Sequence, residues 1–412
     1  MTVLKNSYWN ILAIIVPTVV AIPALGILAR LLGVELFGVF TLMFAFLGYA
    51  SLFDMGLSRA LVRSISINRD NPVNIKEFLF VTSIFVTIVA LFIGVFIYLF
   101  RFKIIEIFNV TPNVQIDVLE CLKYVAISVP FLLLNIVWQS YLEGLERFKE
   151  LSILKVMTNV ILSIIPVIFV YIHNSIAMAI GGLVIGRIVS FIIFFVYAYR
   201  TLFAINKTSF NYFNTTKLKE LFKFGGWLTI SNLISPMMVY FDRFVLSSGT
   251  GAASAAMYTA PAEIISKMLM IPGAISKSIF PKLSNEMDKK IARYSFLLMV
   301  VVAVAMATPL FIASSWVLQI WLGKGYEAAS ITLKILLVGF VFNSLAQIPY
   351  TCIQAKGYSK ITAKLHMAEI LPYFGLLYVL ISHFSYNGAA VAWTIRVIID
   401  FSILSILYKK VV

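Results

Sequence analysis

The sequence predicts an all-α, polytopic membrane protein of about twelve transmembrane helices. Three observations carry that reading. Of 412 residues, 61% are apolar and only 12% charged, against roughly a quarter charged in an average soluble domain. Apolar runs of about 20 residues, the length that crosses a bilayer, recur along the chain. Lysine and arginine gather in alternate connecting segments, as they do between membrane spans. A soluble core cannot hide this much apolar side chain, and the alternating segments of a β-barrel are missing.

Taken in order, spans are expected near 9–30, 37–58, 77–99, 118–138, 153–172 and 176–199. A second set of six is expected near 224–246, 255–281, 294–318, 329–350, 365–384 and 388–408. The first apolar run is too long for a signal-peptide core and lacks a small-residue cleavage site, so it reads as a retained first span. An even number of spans puts both termini on one side. Segments on that side carry 22 of the 33 basic residues, the opposite side carries 4, and 7 lie within spans. The bias places both termini in the cytoplasm. It also explains the net charge of +15 without a nucleic-acid partner. Residues 1–200 are expected to form one six-helix lobe, 201–223 a cytoplasmic linker and 224–412 the second lobe. Within the linker, Lys217 to Phe224 mixes basic and apolar residues, as an interfacial helix or a solvated loop would.

The two halves read as a diverged parallel repeat. Phe40-Thr41 near the start of span 2 is followed by Arg59, and Tyr258-Thr259 near the start of span 8 is followed by Lys277 at the same spacing. Duplicated six-helix units are common among transporters. No chemistry of an enzyme is apparent: the nearest approach to a phosphate-binding loop, Gly181 to Arg187, has Arg in place of Lys and lies inside span 6. The outer loops are short, which argues against a glycan polymerase. Cys121 and Cys352 sit far apart in apolar stretches and read as buried thiols. His173, His366 and His383 have no metal-ligand spacing, so neither metal nor cofactor is expected.

Charges inside the spans carry the functional signal, because a charge at the bilayer centre costs about 2.5–3.5 kcal/mol on insertion scales. The acids are Asp54, Asp242, Glu263, Glu369 and Asp400, and cations lead them. Lys123, Lys277 and Lys334 lie near span ends, where they can snorkel. Arg187 has no partner within its own span. Arg396 is expected to pair with Asp400 one turn on, and Glu263 with Lys267. Arg30 closes span 1, and Asp242-Arg243 closes span 7, its equivalent in the second half.

Several stretches resemble one known family. ILARLLGVELFGVFTL (27–42), SLFDMGLSRALVR (51–63), YLEGLERF (141–148), YFDRFVLS (240–247) and FPKLS (280–284) are similar, in order and spacing, to polysaccharide-transporter flippases of the Wzx type. These are the O-antigen flippases of the multidrug/oligosaccharidyl-lipid/polysaccharide exporter superfamily. The resemblance implies two six-helix lobes around a central cavity, alternating access, and an oligosaccharide on undecaprenyl pyrophosphate as substrate. It implies an inner-membrane protein of surface-polysaccharide (lipopolysaccharide) biosynthesis, with membrane lipids, a polymerase and chain-length machinery as partners. Arg30, Arg59, Arg63, Arg243 and Lys267 are then the expected substrate-binding cations. Asp54, Asp242, Glu263, Arg187, Arg396 and Asp400 are the expected gating or charge-pair residues. A cation-coupled multidrug exporter of the same superfamily is the rival reading, but Trp9 to Leu32 holds no acid, whereas many such exporters carry one there. A peptidoglycan-precursor flippase usually has two further helices. On this reading, neutralising Arg30, Arg243 or Lys267 reduces flipping without lowering protein level.

Overall fold

The structure, a computed structural model, describes residues 2–50, 56–203, 214–285 and 289–411. Among the described residues there is no strand. The helices are α1 (Thr2–Ala50), α2 (Leu57–Ile67), α3 (Pro72–Phe108), α4 (Gln115–Gly144), α5 (Phe148–Ile172) and α6 (Ile176–Phe203). They continue with α7 (Thr215–Thr250), α8 (Ala252–Met268), α9 (Met270–Asn285), α10 (Lys289–Ile312), α11 (Ser314–Leu322), α12 (Ala329–Ala355) and α13 (Ser359–Val411).

The expected spans map onto these helices with few changes. At 1.5 Å per residue, the 49 residues of α1 and the 53 of α13 are each far longer than one bilayer crossing. Each is two spans joined at a break. In α1 the break is Gly33, at φ 76 and ψ 175, a conformation open to glycine at no steric cost. In α13 it is Ser385, at φ 51 and ψ −131. Three residues later the turn leaves no room for a side chain, since a Cβ on Gly388 would lie 2.0 Å from the Leu380 carbonyl oxygen. Among the described residues, eight helices are long and apolar enough to cross a membrane. Two of them, α1 and α13, hold two spans each. The remaining two of the twelve expected spans fall on α7 and on α8 with α9. These carry Asp242, Arg243, Glu263 and Lys267.

Two expectations need correction. Residues 57–67 form a separate amphipathic helix after span 2: Leu57, Ala60, Leu61, Ser64 and Ile65 are buried while Arg59 and Arg63 are exposed, the 3.6-residue periodicity of a surface helix. The stretch beginning at Lys217 is the first turns of α7, continuous with span 7. The Lys217 ammonium lies 4.5 Å from the centre of the Phe78 ring, and Asn214 donates to the Glu77 carboxylate at 2.9 Å.

The chain divides into two compact units, Met1–Tyr240 and Phe241–Val412. In the first, α4 packs on α3 and α6, and α5 packs on α1 and α6. Small residues let these helices approach closely: a Cβ on Gly94 would lie 2.9 Å from the Ala126 carbonyl oxygen, and one on Gly182 would lie 2.8 Å from Pro166 Cα. In the second, α12 packs against α8, α9, α10 and α13, with Gly339 admitting the Trp393 ring. Cys121 and Cys352 are free and buried, as read from the sequence.

Candidate functional site

Buried charge in the second unit falls in two clusters, the first of them between α7 and α8. Asp242 and Arg243, on α7, are 2% and 4% exposed. Helix α7 continues to Thr250, so the pair lies within the helix and not at its end. Arg243 Nη2 donates to Glu263 Oε1 on α8 at 3.0 Å. Asp242 accepts from the Arg243 backbone N–H at 2.7 Å and from the Tyr258 hydroxyl at 2.5 Å. The expected Glu263–Lys267 pair is replaced by Glu263–Arg243. A buried guanidinium must find a carboxylate, whereas half-buried Lys267, in the last turn of α8, keeps part of its side chain exposed.

A second cluster lies on α13. Arg396 Nε is 3.5 Å from Glu369 Oε2, and His366 Nδ1 is 3.7 Å from that same oxygen. The expected Arg396–Asp400 pair is therefore not the closest contact. Arg396 reaches across to Glu369 on the preceding half of α13, with its guanidinium 5.4 Å from the centre of the Tyr373 ring. Asp400 instead approaches His366 and Glu369: one ligating atom from each of the three lies within 4.8 Å of the others. Glu369 was not singled out as a site residue. The spacings H-x-x-E at 366–369 and R-x-x-x-D at 396–400, each on one face of a span, were the available signal.

In the first unit the cations are more open. Arg30 is exposed, one turn before the Gly33 break. Arg59 and Arg63 share the exposed face of α2, and Arg59 Nη1 meets Glu143 Oε1 of α4 at 3.2 Å. Arg187 is half-buried on α6, with a buried Nε that has no hydrogen-bond partner. Asp54 lies outside the described residues.

The YLEGLERF stretch forms a clasp that sequence reading did not anticipate. Arg69 Nε donates to the Gly144 carbonyl at 3.2 Å, and its guanidinium pairs with Glu146. Glu146 itself sits at φ 56. Gly144 is pressed against Ile65, whose Cβ would lie 2.8 Å from an added Cβ. The hydrogen bond from Arg69 holds the Glu146 carboxyl below the usual carboxylate range and raises the Arg69 guanidinium. A depressed carboxyl stabilises above its unfolded value, about 4.3 for Glu, and loses that contribution as pH falls through the folded value. Glu146→Gln is therefore expected to lower the Tm of the purified protein slightly at pH 7, with the difference closing below about pH 4. A difference that persists in acid would remove the clasp from the account.

The family described as polysaccharide biosynthesis protein matches residues 3–287. The chain belongs to that family. A Shigella flexneri protein named "Putative O-antigen transporter" is 40% identical over 415 residues, covering 100% of this chain and 98% of the relative. Among solved structures, an inward-facing multidrug-resistance transporter of the MATE family and MOP superfamily superposes with a TM-score of 0.78 at 14% identity, covering 97% of each chain. The lipid II flippase MurJ in an inward closed conformation gives 0.75 at 16% identity, covering 98% of this chain and 87% of that one. At such identities the likeness is one of fold. This family member is thus a multi-pass membrane transporter of polysaccharide biosynthesis, with the all-α fold of those solved transporters.

Proposed function

We propose that the protein is a flippase that moves an undecaprenyl-pyrophosphate-linked oligosaccharide repeat unit, of the O-antigen kind, from the cytoplasmic to the outer leaflet of the inner membrane by alternating access. The full-length identity to the Shigella relative carries this reading. The charges within the spans support it: a pyrophosphate crossing a low-dielectric region needs cations, while a polyprenyl tail can stay in lipid. Arg30, Arg59, Arg63, Arg243 and Lys267 are proposed to neutralise the headgroup in turn. Arg243 does so only when Glu263 releases it. Asp54, Asp242, Glu263, Arg187, Arg396 and Asp400 are proposed as gating or charge-pair residues.

The proposed topology keeps both termini cytoplasmic, and a polymerase and chain-length machinery act on the product. The chain performs no covalent chemistry on this reading. Deleting the gene is expected to abolish surface polysaccharide and leave lipid-linked repeat units in the membrane. Normal surface glycan together with new sensitivity to cationic drugs would favour an exporter of small molecules instead.

A further inference from the structure

The two units carry the same backbone breaks at the same spacing. Gly33 in α1, at φ 76 and ψ 175, is matched by Gly251 before α8, at φ 90 and ψ 164. The offset that aligns these glycines also aligns Ser58 with Ser276, Arg59 with Lys277 and Ile65 with Leu283. The serines and the apolar pair are buried, and the two cations are exposed. Helix α2 packs on α4, and α9 packs on α12. The corners that end α4 and α12 match as well. The Glu146 N–H donates to the Glu143 carbonyl and the Arg147 N–H to that of Leu142, just as Gly357 donates to Gln354 and Tyr358 to Ile353. Glu146 and Gly357 both sit at positive φ, 56 and 85. Lys277 is therefore the repeat counterpart of Arg59, and its place near a span end is inherited from that match.

What differs between the units is the charge at the corner. In the first, Glu143 pairs with Arg59 at 3.2 Å and Glu146 pairs with Arg69. In the second, the matching positions hold Gln354 and Gly357, and Gln354 donates to the Thr362 hydroxyl at 3.4 Å. Lys277 forms no ion pair among the described residues. Its neighbour Ser276 lies 2.7 Å from the Thr351 hydroxyl and donates to the Gln347 carbonyl at 3.1 Å. The backbone at Lys277 is thus held against α12, while the lysine itself is exposed. Snorkelling asks only for a long stem and a nearby interface. It accounts neither for the match to Arg59 nor for the absence of an acid at both matching corner positions.

We propose that Lys277 binds a phosphate group as the second unit's counterpart of Arg59, and that Glu143 sets the two apart by restraining Arg59. An ammonium is a compact point charge that binds phosphate without the geometry a guanidinium fork requires. Lys277 meets an incoming phosphate with no acid to displace. Arg59 must first give up Glu143. The Arg59 side chain is 65% exposed, so that exchange takes place in screened surroundings and costs little. Glu143 accordingly tunes Arg59 and does not block it. On the transport reading proposed above, on which this assignment rests, the phosphate belongs to the diphosphate headgroup of the substrate. A phospholipid headgroup offers the same chemistry, and the experiment separates the two sources.

The test uses the purified, full-length protein in phosphatidylcholine nanodiscs, with inorganic pyrophosphate as the probe and its binding followed by phosphorus NMR line broadening. Lys277→Gln is expected to weaken pyrophosphate binding about tenfold, and Lys277→Arg to keep most of it. Glu143→Gln is expected to strengthen binding about twofold to fivefold. That gain is expected to vanish in the double variant Glu143→Gln/Arg59→Gln. In a second arm the protein is taken from mixed phosphatidylcholine and phosphatidylglycerol discs, and the phosphatidylglycerol it retains is counted by mass spectrometry. Loss of that lipid in Lys277→Gln with unchanged pyrophosphate binding would put a phospholipid at the residue and overturn the assignment to the substrate. No effect of Lys277→Gln in either arm, or a Glu143→Gln gain that survives the loss of Arg59, would overturn the proposal. Neither arm depends on surface glycan. A gene deletion that spares the glycan ends the transport reading and leaves the phosphate site standing, whereas unchanged pyrophosphate binding ends the site alone.

Discussion

Arg243→Ala is expected to reduce sharply the amount of folded protein in the membrane. Arg243 is 4% exposed and its partner Glu263 has a side chain 25% exposed. Breaking a buried pair by removing one partner costs about 3–5 kcal/mol, because the surviving charge is left without compensation. Two carboxylates are abandoned here, Glu263 and Asp242, since the Arg243 charge serves both. From the sequence alone Arg243 was expected to be an open cavity cation whose loss spares protein level, and its burial beside Glu263 reverses that expectation. The double variant Arg243→Ala/Glu263→Ala is expected to recover part of the lost level, because it removes a stranded charge together with its partner. Quantitative immunoblots of membranes from the single and double variants decide the point. Equal abundance of Arg243→Ala and wild type would show that the pair does not hold the lobe together.

Arg30→Ala and Lys267→Ala are expected to behave in the opposite way, with near-normal abundance and a large loss of surface glycan. Arg30 is exposed and Lys267 half-buried, and neither is part of an ion pair among the described residues. Losing a charge-assisted contact to a phosphate removes about 1.5–3 kcal/mol, roughly a tenfold or greater drop in the step it assists. Arg30→Lys is expected to be milder than Arg30→Ala if charge matters more than the planar fork of the guanidinium. Glycan complementation normalised to membrane abundance checks this. Full complementation by both alanine variants would leave no role for an open cationic path.

How much of this was legible beforehand depends on how local the signal is. Hydropathy exposes the spans, because a bilayer imposes apolar length segment by segment. The Gly33 break lies within the expected gap between spans 1 and 2, and Ser385 within that between spans 11 and 12. The amphipathic helix 57–67 was readable from Leu57, Ala60, Leu61 and Ser64, but its basic residues had been assigned to a loop. Pairings are different. Glu263 and Lys267 satisfy a rule for neighbours on one helix, yet Glu263 meets Arg243 from another helix, twenty positions away in sequence. Arg396 likewise prefers Glu369 on the other half of α13 to Asp400 on its own. Which helices touch is a tertiary fact, and a buried charge chooses its partner from whatever packing brings near. The Arg69–Glu146 clasp escaped notice for the same reason, although YLEGLERF marked one side of it.

The measurement closest to the central claim follows the leaflet in which lipid-linked repeat units reside. Spheroplasts with and without the protein are treated with a membrane-impermeant glycan-modifying reagent, and modified and unmodified lipid-linked units are separated and counted. The account predicts that units become modified when the protein is present and stay protected when it is absent, with Arg30→Ala and Lys267→Ala falling between. Equal modification with and without the protein would contradict it.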